Sequence, residues 1–198
     1  MSEKKYDVAA VSACLEGFLR RLLKTAGFDL DYEFVDGETP HPDFENPDVL
    51  VKFRGRDVDL LLANKAELLL ALEHVSAEVM GLPSEDHARV SFDANDYRAL
   101  RIEELRISAA AAADRVKSSG KPFLFNPMNS RERRIIHLSL RNEPTVRSES
   151  TGIGIGRHVV VYPEGMPSFT QPPGPPPRYE RSGPRRGGPP DRRGRGRR

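Results

Sequence analysis

The stretch FNPMNSRERRIIHLSLRN, Phe125 to Asn142, decides how the rest of the chain is read. Asn129 followed three residues later by Glu132 has the composition of a capping box, which fixes a helix start at that point. Projected at about 100° per residue, Arg133, Arg134, His137 and Arg141 fall within one sector of about 100°, while Ile135, Ile136, Leu138 and Leu140 occupy the other side. A helix built this way is anchored by its apolar side and presents cations on the other. A solvated face is the competing account of any such helix. Three details favour a binding surface. Arg is used without a single Lys, which suits planar, bidentate contact with phosphate and stacking on bases. His137 stands one turn beyond Arg133, able to donate to a phosphate or stack on a base. Glu132 is the sole acid between Arg131 and Arg141, so these cations are not paired among themselves.

Working outward, the apolar positions Val11, Leu15, Phe18, Leu19, Leu22 and Ala26 predict an amphipathic helix from Val8 that stops at Gly27. Cys14 is expected inside it as a small packing residue. DLDYEFVD and DVLVKFRG read as strands on either side of GETPHPDFENP, a solvated hairpin connection whose His41, Asp43 and Glu45 lack metal-ligand spacing. RDVDLLLANKAELLLALEHVSAEVMGLP reads as a short helix, a tight turn at ANKA and a long helix. His74 lies in that long helix with no partner at ligand spacing, and ARVSFD supplies a third strand.

Asp93 is the plausible N-cap of the next helix, whose stripe Ile102, Leu105, Ala109, Ala112 and Val116 ends at Gly120. Its alanine run permits close packing. KPFLF, PTVRSES and RHVVVYP read as strands, and TGIGIG as a flexible connection, since it precedes a strand rather than the helix that a phosphate cradle requires. From Met166 onward Pro, Gly and Arg replace apolar residues, and order is expected to cease.

The formal net charge of +2 conceals an asymmetry. Gln171 to Arg198 carries nine Arg against Glu180 and Asp191, residues 1–89 are net −8, and residues 90–170 are net +3. Anionic partners therefore suit the second half and the tail. A lone cysteine suits a reducing compartment, and no segment has the apolar length of a membrane span, so a cytoplasmic address is expected. No phosphate loop, metal cluster or nucleophile with its base stands at recognisable spacing, so neither catalysis nor a cofactor is expected.

Arg133 and His137, separated by three residues and preceded by NPMN and ER, resemble the signature of the single-stranded nucleic-acid-binding R-three-H domain. The longer run from Asp93 to Leu140, with Thr145, Ser148, Glu149, the following glycines and RHVVVYP, resembles the bacterial Jag (SpoIIIJ-associated) family, in which a KH domain precedes this module. The resemblance covers roughly Val8 to Pro163. It implies an α+β chain: a type II KH domain, αββααβ, over residues 1–95, a small αβαββ R-three-H domain over 96–165, and a disordered basic tail over 166–198. By position, Arg133 and His137 correspond to the defining pair, Arg134 to the adjacent family arginine, and Arg157 to the basic residue opening the last strand. Arg141 shares their sector. Family members also carry a small additional N-terminal domain, and this chain begins directly with the KH helix.

A KH domain grips nucleotides through a Gly-x-x-Gly loop, where missing side chains let the RNA backbone approach main-chain N–H groups. Here the turn is Ala63, Asn64, Lys65, Ala66. The added methyl groups are expected to obstruct that approach, leaving Asn64 and Lys65 as the contacts. The resemblance implies binding of single-stranded RNA, with single-stranded DNA as a second candidate, without catalysis. It also implies post-transcriptional control linked to cell elongation and division, a small single-KH protein as partner, and self-association through the KH domain. The competing expectation is a protein-association adaptor whose tail docks on anionic membrane near an insertase.

Overall fold

A computed structural model describes residues 4–168. Helix α1, Val8–Ala26, starts where the Asp7 side chain accepts the Ala10 N–H at 2.7 Å. It ends at Gly27, whose φ of 73° is the left-handed conformation that glycine adopts without penalty. Its buried stripe is Val11, Leu15, Leu19 and Leu23, one residue every four. Cys14 lies off that stripe and is exposed, so the expectation that it packs inward is corrected.

Strands β1 (Leu30–Asp36) and β2 (Val49–Gly55) pair antiparallel, with Leu30 opposite Gly55 and Asp36 opposite Val49. Strand β3, Val90–Ala94, adds parallel to β2. Helix α2, Val58–Val79, lies between β2 and β3 in sequence and is broken at Ala63–Ala66. These elements enclose one core, centred on Leu15, Leu19, Phe53, Leu61, Leu69 and Phe92.

Helix α3, Tyr97–Ser119, follows, then β4 (Phe123–Leu124), α4 (Ser130–Ser139), β5 (Val146–Thr151) and β6 (His158–Pro163). The second sheet is ordered β4-β6-β5, antiparallel throughout. Its core joins Ile102, Leu105, Ala109 and Val116 of α3 to Ile135 and Ile136 of α4 and Val159 and Val161 of β6. The small Ala109, Ala112 and Ala113 let α3 approach its neighbours closely. Asp93 belongs to β3 and Asp96 holds the N-cap position. The cap is nevertheless supplied by Asp93, whose Oδ1 accepts the Arg98 N–H at 3.1 Å from the strand end.

The acidic loop between β1 and β2 is not simply solvated, as the sequence suggests. Phe44 packs against the second core beneath the Arg106 guanidinium, 5.7 Å from its ring centre, and Glu45 pairs with Arg98 at 2.8 Å. An aromatic ring and a carboxylate that find an apolar patch and a cation nearby are better placed there than in water. Glu73, 8% exposed, collects the rest of the contact: the Phe92 N–H at 2.8 Å, Arg98 at 3.2 Å and Arg131 at 2.8 Å. One carboxylate of α2 thus ties β3, α3 and α4 together. Among the described residues no helix is long and apolar enough to cross a membrane. The tail expected to lack order lies, from residue 169, outside the described residues.

Candidate nucleic-acid interface

Helix α4 begins with the capping box that its sequence specifies. Asn129 Oδ1 accepts the Glu132 N–H at 2.9 Å, and Glu132 Oε2 accepts the Asn129 N–H at 3.1 Å. The segment before it runs beside the start of β6: Phe125 N–H donates to Val159 O at 2.9 Å and Met128 N–H to Arg157 O at 3.1 Å. That pairing brings Arg157 to the first turn of α4, where Arg133 projects.

Arg133 and Arg157 are close enough that the second guanidinium, together with burial of the first, holds Arg133 below its ordinary pKa. Burial is the larger cause, and the Nε of Arg133 is buried without a hydrogen-bond partner. Both side chains remain cations, so the pair is a concentration of unneutralised charge. Among the described residues no carboxylate forms an ion pair with Arg133, Arg134, Arg141 or Arg157. Arg131, on the same helix, is paired with Glu73, and Glu132 is taken by Arg101 at 2.5 Å. The acid within the basic run is therefore turned inward, away from the cations it adjoins.

His137 is half-buried, and both ring nitrogens are engaged. Nδ1 lies 2.7 Å from Ser148 Oγ and Nε2 lies 2.9 Å from Ser150 Oγ. Ser148 and Ser150 share a face of β5 because strand side chains alternate. Burial first, and Arg133 second, push the imidazole pKa below its ordinary value, which favours the neutral ring. The expected direct donation from His137 to a phosphate has no free N–H in this arrangement. The ring instead fixes α4 against β5 and so sets where Arg133 stands.

The other expected contacts separate. Exposed Arg134 lines a cavity of about 320 Å³ with Phe44, Asn46 and Arg89, facing the first half of the chain. Arg141 lies past the helix end at Leu140, on a groove of about 740 Å³ shared with Glu103 and Ile107 of α3. Asn64 and Lys65 sit in the break of α2, with φ of 52° and 63°. Ala66 follows at φ 59° and is 0% exposed, so its methyl group belongs to the core. Ala63 is the one alanine of this turn whose methyl faces solvent.

Two residues of the connection TGIGIG carry no expected role in the sequence. Ile153 and Ile155, 80% and 87% exposed, flank Gly154 in the loop between β5 and β6 that leads to Arg157. Aliphatic side chains held in solvent beside cations offer apolar contact to a base. Their alternation with glycine was the available signal.

Residues 103–163 match the R-three-H domain. The chain is 34% identical over 111 residues to the RNA-binding protein KhpB of Clostridium symbiosum, covering 56% of this chain and 50% of that protein. It is 32% identical over 109 residues to the RNA-binding protein KhpB of Bacillus subtilis, covering 54% and 52%. Against the RNA-binding protein KhpB of Lactiplantibacillus plantarum it is 32% identical over 119 residues, covering 60% and 37%. The chain spans about half, or less, of the length of these curated relatives.

Proposed function

We propose that this chain is a non-enzymatic RNA-binding protein of the Jag type, holding single-stranded RNA on the surface formed by α4, the start of β6 and the loop before it. The observation that carries this reading is the unneutralised pair Arg133 and Arg157 beside His137, while the nearby Arg101 and Arg131 are ion-paired. Phosphate would sit between the two guanidinium groups, and Ile153 and Ile155 would meet bases. Arg134 and Arg141 would extend the contact along the strand to either side of α4.

In this reading residues 1–95 are a KH-like domain of type II order and 96–165 the R-three-H domain. The broken turn of α2 would contribute Asn64 and Lys65, while the nine tail arginines would add affinity without reading sequence. The setting would be the bacterial cytoplasm and the role post-transcriptional control, with a small single-KH protein as partner.

The test is fluorescence anisotropy with a labelled single-stranded RNA. Arg133→Ala combined with Arg157→Ala should reduce affinity at least tenfold, while Arg21→Ala on the far helix α1 leaves it unchanged. Equal affinity of the double variant and the parent at physiological salt would remove this surface from the function.

A further inference from the structure

We propose that His74, Glu78 and His87 form a site for a transition-metal ion of the zinc class, separate from the nucleic-acid surface. One ligand atom from each residue lies within 4.8 Å of the other two, the one such cluster among the described residues. The expectation that His74 has no partner at ligand spacing is corrected: Glu78 stands one turn on, and the second imidazole arrives from beyond the end of the helix. The two rings stand 5.7 Å apart between centres, and Glu78 Oε1 lies 4.0 Å from His87 Nε2.

The scaffold presents these groups on defined elements. His74 and Glu78 are one turn apart on α2, hence on one face. His87 follows a single 3-10 turn, Ser84–Asp86, which is fixed from below. The buried Asp86 accepts from Lys5 Nζ at 2.5 Å and Tyr6 OH at 2.8 Å, and the Leu82 N–H donates to Ala77 O at 3.0 Å. His87 Nε2 lies 3.0 Å from the Leu82 carbonyl. A carbonyl oxygen only accepts, so Nε2, the nitrogen that also faces Glu78, carries the proton without an ion, and ligation through it exchanges this hydrogen bond for the metal.

Two imidazoles and one carboxylate suit zinc, nickel, copper or cobalt rather than magnesium or calcium, which prefer oxygen. Tetrahedral ligands at about 2.0–2.2 Å from an ion stand roughly 3.4 Å from one another. The cluster therefore needs to close by up to about 1.4 Å, which the exposed side chains of His74 and Glu78 can supply by rotation. The fourth position stays open to water. The net charge of −8 on residues 1–89 favours a cation there. A bound ion would link the far end of α2 to the segment entering β3, immediately after Glu73.

The experiment uses the full chain without an affinity tag, titrated with zinc chloride by calorimetry and with cobalt chloride by visible absorption. The expected result is saturable 1:1 binding, a cobalt band of four-coordinate intensity, a raised Tm with zinc and none with magnesium. His74→Ala, an exposed position that the fold tolerates, and Glu78→Gln should each weaken zinc binding at least tenfold; His87→Ala should do the same. No saturable binding by the parent would overturn the proposal. So would binding that survives His74→Ala unchanged, since His41, His137, His158 or Cys14 would then hold the ion.

Discussion

Arg131 Nη2 of α4 lies 2.8 Å from Glu73 Oε1 of α2, and that ion pair decides which arginines of α4 are left for a ligand. It withdraws Arg131 from the basic face, holds the helix against the first half of the chain, and leaves Arg133 and Arg134 without an acidic partner among the described residues.

Replacing Glu73 by Ala should therefore destabilise the protein by about 3 kcal/mol, because Arg131 would lose its carboxylate, the Phe92 N–H its acceptor, and Arg98 would keep only Glu45. Glu73→Gln should cost less, since an amide oxygen still accepts the Phe92 N–H. Urea unfolding of the three proteins measures this. A loss below about 1 kcal/mol for the alanine variant would show that the network contributes little beyond what its geometry suggests.

His137 carries a pH dependence with a definite sign. Its folded pKa lies below 6.5, so between that lowered value and about 6.5 the unfolded chain binds more protons than the folded one. Its contribution to stability is complete above about pH 6.5 and is lost as pH falls through the lowered value. Comparing urea midpoints at pH 7.5 and pH 5 for the parent and His137→Gln isolates the effect. The parent should lose more stability over this range than the variant, and an equal loss would exclude His137 as the source.

The break in α2 holds Lys65 at φ 63°, a conformation that costs a non-glycine residue about 1–2 kcal/mol. Lys65→Gly should therefore raise stability by roughly 1 kcal/mol while removing the cation of that turn, so RNA affinity should fall as thermal stability rises. Ala66→Gly relieves the same strain but deletes a buried methyl group, worth about 0.8 kcal/mol, so its net effect should be close to zero. Calorimetric Tm values for the two variants separate these outcomes.

Residues 171–198 lie outside the described region, and their nine arginines make a prediction from charge alone. For single strands, log affinity falls against log salt with a slope of about −0.7 per neutralised phosphate. Deleting this segment should flatten the slope by several units and weaken binding to all sequences alike. An unchanged slope between 50 and 300 mM salt would assign the positive charge to a membrane or an acidic protein.

What the sequence determined by itself was local. The capping box of Asn129 and Glu132, the stops at Gly27 and Gly120, the break at Ala63–Ala66 and the order of helices and strands were legible because each is written in contiguous residues, through periodicity, capping and turn chemistry. The cationic sector of α4 was legible for the same reason. What only the tertiary structure decided is the fate of the side chains in and around that sector. Arg131 goes to Glu73, Glu132 to Arg101, Arg157 to the side of Arg133, and His137 to Ser148 and Ser150. His74 likewise meets His87, and Phe44 leaves its loop for the second core. Each of these partners lies outside the local segment whose pattern was read, and the helical or strand period carries no record of it. The pairings arise when two apolar cores and two sheets pack together, because burial then leaves each polar group only the few partners that packing brings within hydrogen-bond reach.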